Sequence, residues 1–416
     1  MKITYLHQYF NTPDMPGGTR SYEMARRLVA MGHEVNMVTS WREADGRKGW
    51  FVTDEAGIKV HWLPVPYSNR MGFGERIRAF FQFALRSAQR AAELDADIVF
   101  ASSTPLTIAL PAVYAARRRK VPMVFEVRDL WPEMPIAMGA LKNPLQIRGA
   151  FALESWAYRH AAAVVALSPG MKQGVVDTGY PARQVAVIPN SSDNQEFASN
   201  EEAAQRFRTA RSWLSDKPLL IYAGTFGRVN GVGYAVELAK ALLALGSDSR
   251  LLLVGDGAEG DIVMQQARAA GVYEQNLFFE TKITKREIPA LFSAATMASN
   301  LVIDLPAARA NSANKFFDTL ASGKPIFLNH GGWMHDLVTA HGCGIAAWGR
   351  SIEEVAQELH QRLHDLEWLE KAGAAARHLA ETHFDRDALA FQLEQVLSGA
   401  VNGNLGKAET IAPGLY

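Results

Sequence analysis

Hydrophobic residues in this chain form short runs that alternate with longer stretches of helical period. Residues 2–8 favour a strand, residues 19–32 a helix with its apolar positions on one face, and residues 33–40 a second strand. Further apolar runs of the same kind lie at 96–102, 122–129, 162–168 and 184–190. Because these runs lack polar alternation and are separated by helices, they predict a parallel sheet covered on both faces.

The same alternation restarts in the second half of the chain, after a polar, helical segment that follows Pro189. Strands are predicted at 218–224, 250–257, 276–280, 297–303 and 325–330, with a helix at 236–246. This repetition predicts an α/β protein with two Rossmann-like domains, each a doubly wound parallel sheet.

The predicted domain boundaries lie near residues 195 and 384. Residues 1–195 form the first domain and 196–384 the second, and a helix at about 385–400 can pack back on the first. Residues 401–416 carry Gly, Asn and Pro without period, which predicts a mobile tail. Ligands of open parallel sheets bind beyond the carboxyl ends of the strands, so we expect the site in the cleft between the domains.

The composition of the 416-residue chain is that of a globular protein, with 48% hydrophobic and 21% charged residues. Its one cysteine, Cys343, excludes an internal disulfide and favours a reducing compartment. Neither a signal peptide nor an apolar run of membrane-spanning length is visible, so a cytoplasmic protein is expected. Residues 1–195 hold 23 basic and 17 acidic side chains. That excess fits an anionic partner and is too small to predict nucleic-acid binding.

Candidate chemistry in the second domain follows two of its predicted strands. Gly224 and Gly227 leave a bare loop, and Arg228 offers a guanidinium suited to phosphate oxygens. Further along, Ser312 or Asn314 is expected to cap a helix whose first amides face a diphosphate, and Asp318 lies one turn on. The alternatives are a surface arginine and an ordinary amphipathic helix with a solvated aspartate.

In the first domain, two loops carry candidate residues. Gly17 and Gly18 lie between the first strand and its helix, where the backbone can approach an anion closely. Glu126, Arg128 and Asp129 lie where a buried strand ends, and a salt-bridged structural cluster is the alternative to a functional role there.

A basic, aromatic segment at residues 70–90 is the third candidate in the first domain. Arg76, Arg78, Phe80 and Phe81 are typical of a helix that lies on an anionic bilayer, although a core helix with a solvated arginine face has the same pattern. No metal-binding motif, P-loop or nucleophile elbow is present in the sequence, so we expect no bound metal and no hydrolase triad.

Together these segments resemble the retaining nucleotide-sugar glycosyltransferases of family 4. Those enzymes have the GT-B fold, in which two Rossmann-like domains face each other across a cleft. The resemblance spans nearly the whole chain and rests on the segments PGG, VVALSPGM, VIPNSSD, YAGTFGR, LLLVGDG and NKFFDTLASGKPI. The segment DLWPE is similar to the branch that builds bacterial surface polysaccharides, including fucosamine transferases of lipopolysaccharide O-antigen assembly.

The resemblance implies a division of labour between the domains. The second domain would bind the donor, with Asp318 on the ribose and the diphosphate held by a set of neighbouring groups. That set is Arg228, the loop residues Gly224 and Asn230, and the helix start Ser312, Ala313, Asn314 and Lys315. Gly17 and Gly18 would close over phosphate and sugar. In a retaining enzyme the departing phosphate takes the acceptor proton, and Glu126 and Asp129, with Arg228, are the catalytic candidates that position the acceptor or stabilise charge.

Three positions depart from the family pattern. Members often carry two glutamates eight positions apart, and this chain has Ala310 and Asp318 there. Members pair an arginine with a lysine on the diphosphate, and here Arg228 is accompanied by Asn230. A histidine that commonly follows a first-domain strand is replaced by the region of Arg128 and Asp129.

The resemblance implies a glycosyltransferase that uses a nucleoside-diphosphate sugar as its donor. UDP is the expected nucleotide, and GDP is the second choice. The expected acceptor is a glycan, carried by a polyprenyl diphosphate at the cytoplasmic face of the inner membrane, with the Arg76–Phe81 segment and Arg128 on the acceptor side. The nucleotide sugar is a substrate, and neither a cofactor nor a metal is expected. A nucleotide-sugar epimerase of the same architecture and a non-catalytic homologue acting as a partner protein are the alternatives.

Overall fold

The structure is a computed structural model that describes residues 1–15, 17–68, 71–280, 287–404 and 408. These residues divide into two compact units. The first comprises Met1–Pro189, Ala310–Ser312 and the described residues from Asp387 onward, and the second comprises Asn190–Arg309 and Ala313–Arg386. No helix in these ranges is both long and apolar enough to cross a membrane. Most of the predicted mobile tail, at 405–407 and 409–416, lies outside the described residues.

The first unit is built on an eight-stranded sheet. Its strands are β1 (Lys2–Leu6), β2 (Glu34–Trp41), β3 (Phe51–Glu55), β4 (Ile58–Pro64), β5 (Ile98–Ser102), β6 (Met123–Val127), β7 (Ala163–Ala166) and β8 (Val185–Val187). They lie in the order β3-β4-β2-β1-β5-β6-β7-β8, and all neighbours are parallel except the edge pair β3 and β4. Strands β5, β6, β7 and β8 are buried along their whole length, as expected where helices cover both faces.

In the described residues before Pro189 the first unit has six α-helices, and two of them begin at side-chain caps. They are α1 (Arg20–Ala30), α2 (Phe73–Glu93), α3 (Ala109–Arg119), α4 (Glu133–Ala137), α5 (Pro144–Arg159) and α6 (Pro169–Asp177). The Asn143 side chain caps α5 and the Ser168 hydroxyl caps α6, and in both helices proline occupies the first turn. A proline costs nothing there because its missing N–H would have had no partner within the helix.

The second unit is built on a six-stranded, wholly parallel sheet. Its strands are β9 (Leu219–Ala223), β10 (Arg250–Val254), β11 (Leu277–Glu280), β12 (Met297–Asn300), β13 (Ile326–Leu328) and β14 (Gly344–Ala346), in the order β11-β10-β9-β12-β13-β14. Its helices are α7 (Glu201–Thr209), α8 (Tyr234–Ala244), α9 (Gly260–Ala269), α10 (Ile288–Ala294), α11 (Asn314–Ala321), α12 (Trp333–His341), α13 (Ile352–Arg362) and α14 (Leu366–Thr382). The strand order reverses between β9 and β12, which is where open α/β sheets bind ligands.

The last helix of the chain, α15 (Arg386–Val401), packs on the first unit. Leu389, Leu393 and Leu397 are buried in the same hydrophobic cluster as Ile3 and Met24. The first described strand and nearly all of the last described helix therefore belong to the same unit.

Candidate functional site

The loop that follows β9 is held in place by the loop that follows β10. A Cβ atom at Gly255, whose φ is +148°, would lie 1.8 Å from the Gly224 carbonyl oxygen, and one at Gly257 would lie 2.5 Å from that of Phe226. Only glycine allows this backbone-to-backbone contact. The sequence Gly-Asp-Gly at 255–257 thus fixes the shape of the neighbouring loop.

Lys315 of α11 reaches back to this loop. Its Nζ donates hydrogen bonds to the Tyr222 hydroxyl at 3.1 Å and to Asn230 Oδ1 at 2.9 Å, and it lies 4.5 Å from the centre of the Tyr222 ring. A Cβ atom at Gly224 would come within 3.5 Å of Lys315 Cε. Although position 230 carries an asparagine and not the family's lysine, Lys315 brings an amino group to this position from another element.

The start of α11 differs from the sequence expectation. Neither Ser312 nor Asn314 caps the helix: the N-cap is Ala313, which has no side chain able to accept a hydrogen bond, and Asn314 is the first helical residue. No side chain caps this end, so the positive end of the helix dipole has no capping oxygen. Asp318 lies one turn further on, half-buried.

Arg228 and Asn230 form a short 3-10 helix directly after the β9 loop, and Arg228 is exposed. Gly231 ends this turn in a left-handed conformation against Ile303, whose amide donates to the Val229 carbonyl at 2.9 Å. The structure therefore brings together, at the β9–β12 switch point of the second unit, most of the donor-binding residues predicted there.

His330 is a further residue of this region that the sequence did not single out as functional. It is buried after β13; its Nδ1 donates to the Gly331 carbonyl at 2.9 Å and its Nε2 lies 3.3 Å from the Asn300 amide nitrogen. Burial, reinforced by the charge of Lys315, lowers the pKa of His330 to about 4, so its ring is neutral at pH 7. Its only sequence signal was a polar residue at the end of a buried strand.

In the first unit, the predicted catalytic role of Glu126 is corrected by its surroundings. Its side chain is 0% exposed, and it forms an ion pair with Arg20 at 2.9 Å and accepts from the Ser102 hydroxyl at 2.5 Å. Although burial opposes ionisation, Arg20, Arg128 and Ser102 hold the pKa of Glu126 below its usual value. With no atom open to a substrate, this carboxylate holds Arg20, which in turn donates to two carbonyl groups near the end of β8.

Asp129 and the glycine loop are accessible. Asp129 is exposed and its Oδ2 accepts from the Thr104 hydroxyl at 3.1 Å. Gly17 and Gly18 are exposed as well, and the Asn11 side chain donates to the Gly18 carbonyl at 3.1 Å. Gly17 has a φ of +121°, and a Cβ there would lie 2.7 Å from Asn11 Nδ2, so the turn requires glycine. Pro16 lies outside the described residues.

The basic, aromatic segment is the helix α2, and one prediction about it is wrong. Phe80 is 7% exposed and packs near Tyr67, so it belongs to the interior and not to a membrane face. Phe81 is 46% exposed and Arg78 is exposed, while Arg76 is half-buried and donates to the Met71 carbonyl at 3.1 Å. Helix α2 therefore has a buried aromatic face, as expected of a core helix, and an exposed face that is both basic and apolar.

Ala310 lies where family members often have a glutamate, and its surroundings are crowded. Its carbonyl accepts from the Ser168 hydroxyl at 2.5 Å, and a Cβ at Gly170 would lie 2.8 Å from the Ala310 methyl. Among the described residues, no group of three or more His, Cys, Asp and Glu side chains is placed to hold a metal ion.

Comparison with known proteins gives two family matches and several relatives. A model described as glycosyl transferase 4-like domain matches residues 17–191, and one described as glycosyl transferases group 1 matches residues 204–379. Glycogen synthase of Mycobacterium tuberculosis is 24% identical over 297 residues, 71% of this chain and 67% of that protein. A GDP-mannose-dependent alpha-(1-6)-phosphatidylinositol monomannoside mannosyltransferase of the same organism is 22% identical over 401 residues, 93% of this chain and 96% of that protein.

Solved structures agree on the fold. Anabaena Alr3699/HepE, solved in complex with UDP, has a TM-score of 0.71 at 18% identity, covering 96% of this chain and 100% of that one. WaaG, a glycosyltransferase involved in lipopolysaccharide biosynthesis, has a TM-score of 0.68 at 17% identity, covering 95% and 100%. These likenesses confirm the predicted α/β class with two Rossmann-like domains of the GT-B type.

Proposed function

The chain is a glycosyltransferase of family 4 with the GT-B fold, and on that premise we propose that it moves a sugar from a nucleoside diphosphate to a glycan acceptor with retention of configuration. We propose UDP as the first donor nucleotide and GDP as the second. One similar structure was solved with UDP and one relative is named as GDP-mannose-dependent, which supports both choices. The observation that carries the proposal is the ammonium of Lys315 at the uncapped start of α11.

The diphosphate would be held from three directions within the second unit. The amides at the start of α11 offer hydrogen bonds along the helix dipole, Lys315 offers an ammonium beside Asn230, and Arg228 offers an exposed guanidinium. Asp318, one turn along α11, would accept from the ribose hydroxyls. These groups would supply the positive charge themselves, so the proposal requires neither a metal nor a cofactor.

The same groups would act on the leaving group. As the bond from the sugar to the diphosphate breaks, negative charge builds up on the departing oxygen, where fixed amides and cations stabilise it. In a retaining reaction the departing phosphate then accepts the acceptor's proton, so no buried carboxylate is needed as a base. Asp129 remains the proposed acceptor-positioning acid of the first unit because it is exposed at the end of β6.

We further propose that the acceptor is lipid-linked and belongs to bacterial surface polysaccharide assembly at the cytoplasmic face of the inner membrane. Four exposed residues on one face of α2 support a bilayer contact: Arg78, Phe81, Leu85 and Arg86. Apolar side chains flanked by arginines suit the surface of an anionic bilayer, because the apolar groups can contact lipid acyl chains while the arginines contact the headgroups. The lipopolysaccharide role of WaaG, a structural neighbour, supports the same assignment.

Thermal melting with UDP, GDP, ADP and TDP at millimolar concentration tests the donor site. We expect one nucleotide, UDP first, to raise the melting temperature, because a ligand that binds only the folded state stabilises it. Lys315→Met should weaken this binding by about tenfold or more, the usual scale for a lost charged hydrogen bond. Lys240→Met is the matched control, since Lys240 is an exposed lysine of α8 in the same unit.

Three outcomes would contradict the proposal. No shift with any nucleotide would favour the non-catalytic alternative. Formation of an isomeric nucleotide sugar without any acceptor would favour an epimerase. An equal loss of binding in the Lys315→Met and Lys240→Met variants would remove Lys315 from the site.

A further inference from the structure

Two arginines of the first unit lie where strands of its sheet end. Arg42 directly follows β2 and Arg128 directly follows β6, and His7 directly follows β1, the neighbour of β2. Arg128 donates a hydrogen bond to His7, and the charge of Arg42 also acts on His7. The carboxyl ends of the parallel strands therefore gather two cations around one histidine.

Arg128 is held by neutral groups. Its Nη1 donates to His7 Nε2 and to the Ser21 hydroxyl, both at 3.3 Å, and its backbone N–H donates to the Ser103 hydroxyl at 3.0 Å. Within the described part of the chain it forms no ion pair. The charges of Glu126 and Asp129 act on Arg128, but their direct partners are other groups, Arg20 for Glu126 and the Thr104 hydroxyl for Asp129.

Arg42 has a similar environment. It is half-buried, and its side chain donates to Asn11 Oδ1, a neutral amide oxygen, without an ion pair to any described carboxylate. Desolvation lowers the pKa of Arg42. The same Asn11 side chain donates to the Gly18 carbonyl at 3.1 Å, so Arg42 is tied to the glycine loop expected to close over a phosphate.

His7 acts as a fixed, neutral acceptor for Arg128. Because a guanidinium can only donate, Nε2 accepts from Arg128, and the proton of the neutral ring then lies on Nδ1, 2.8 Å from the Ser21 hydroxyl oxygen. Burial, together with the charges of Arg128 and Arg42, holds the pKa of His7 well below its usual value. The ring therefore orients one edge of the guanidinium without neutralising it.

Neither guanidinium group donates a hydrogen bond to a carboxylate of the described residues, so both have lost water without gaining a charged hydrogen-bond acceptor. A phosphate group would supply that acceptor, and its oxygens match the fork of a guanidinium. We propose that Arg42 and Arg128 form a phosphate-binding site in the first unit, with His7 as the positioning residue. The site rests on the proposed function, which supplies two sources of phosphate, the diphosphate of a lipid-linked acceptor and that of the donor.

Calorimetric titration of the full chain with two probes separates these sources. The probes are UDP, and farnesyl diphosphate titrated in the presence of saturating UDP, with farnesol as the uncharged control. We expect the Arg42→Gln/Arg128→Gln double variant to bind one of the two diphosphates about tenfold more weakly or worse. Arg118→Ala, at an exposed arginine of α3, is the matched control. The unliganded melting temperature verifies folding, and the single variants replace the double variant if it does not fold.

Each result decides something. Weaker binding of farnesyl diphosphate alone assigns the site to the lipid carrier, and weaker binding of UDP alone assigns it to the donor. If both probes bind the variant as they bind the wild type, the phosphate site is overturned while donor binding by the second unit stands. If the wild type binds neither farnesyl diphosphate nor UDP, and GDP used in place of UDP does not bind either, the site and the proposed function both fail.

The positioning role of His7 has its own readout. His7→Leu removes the acceptor of the Arg128 hydrogen bond and should weaken binding of the affected probe, whereas His7→Gln, which keeps an acceptor, should restore part of it. Equal binding by His7→Leu and the wild type would show that His7 does not position Arg128.

Discussion

The sequence at position 230 does not show which charged side chain lies beside it. Asparagine stands there in place of the family's lysine, yet the Lys315 ammonium lies 2.9 Å from its side-chain oxygen. The two residues are 85 positions apart, and spacing along the chain carries no information about such a contact. The sequence could place Lys315 at the start of a helix, but only the fold shows which loop its side chain reaches.

Glu126 shows the opposite case, in which a charged residue suggested chemistry and proved structural. The apolar run around it did predict a buried strand, and a carboxylate in such a strand needs a partner. That partner, Arg20, comes from α1, 106 residues earlier in the chain. The sequence therefore predicted the burial, and the pairing that decides the role depends on tertiary structure.

Glu154 leads to a prediction about stability and pH. It is fully buried in α5, and burial, together with the nearby charge of Glu133, raises its pKa to about 8. Between the ordinary glutamate pKa and pH 8, the Glu154 carboxyl is ionised in the unfolded chain and still protonated in the folded chain. The free energy of unfolding therefore falls as pH rises through this window. Glu154→Gln removes this dependence, because an amide does not ionise.

Melting temperatures of both proteins between pH 5 and pH 8.5 test this. The advantage of the Glu154→Gln variant should grow with pH, at up to about 1.4 kcal/mol per unit within the window. Its Tyr158 hydrogen bond, 3.1 Å long in the wild type, can be made to an amide oxygen as well. Parallel melting curves for the two proteins would show that Glu154 titrates normally.

At the scale of helices and strands, the hydrophobic pattern predicted the central parts of both sheets. It did not predict strands β3 and β4. These two strands form an antiparallel hairpin, and the turn between them contains Ala56 and Gly57, with φ of 55° and 82°. Strand β3 alternates between half-buried and exposed positions, so it lacks the continuous apolar run that identified the others. Strand β14 has only three residues, too few for a period to be recognised.

The exposed face of α2 leads to a prediction about membranes. Phe81→Ser/Leu85→Ser should bind less to vesicles of phosphatidylglycerol and phosphatidylcholine than the wild type, because apolar area at the interface is lost. Leu366→Ser is the control, as Leu366 is an exposed leucine of α14 in the other unit. Cosedimentation measures the bound fraction. Equal binding by all three proteins, or equal binding to vesicles of phosphatidylcholine alone, would exclude an anionic bilayer as the partner of this face.

At the scale of the whole molecule, two repeated α/β patterns were enough to predict two Rossmann-like units, and the last helix returns to the first of them. The family followed from many weak segments spread over the chain, and two domain models match 17–191 and 204–379. Donor, acceptor and stereochemistry depend on a few side-chain contacts, which neither a hydrophobic pattern nor a fold determines.

The most direct test of the donor site is the proton balance of nucleotide binding. Burial lowers the pKa of Lys315 to about 7, so at pH 8 roughly nine in ten of these side chains are neutral. A diphosphate beside Lys315 favours the ammonium form, and binding must then draw a proton from the buffer. The terminal phosphate of UDP is already ionised at pH 8 and releases none.

Calorimetric titration of UDP at pH 8, in two buffers of different ionisation enthalpy, measures this uptake. We expect nearly one proton to be bound per nucleotide by the wild type and by Lys240→Met, and close to none by Lys315→Met. Binding of UDP without proton uptake, or with the same uptake in the Lys315→Met variant, would contradict the assignment of Lys315 and the start of α11 to the donor diphosphate.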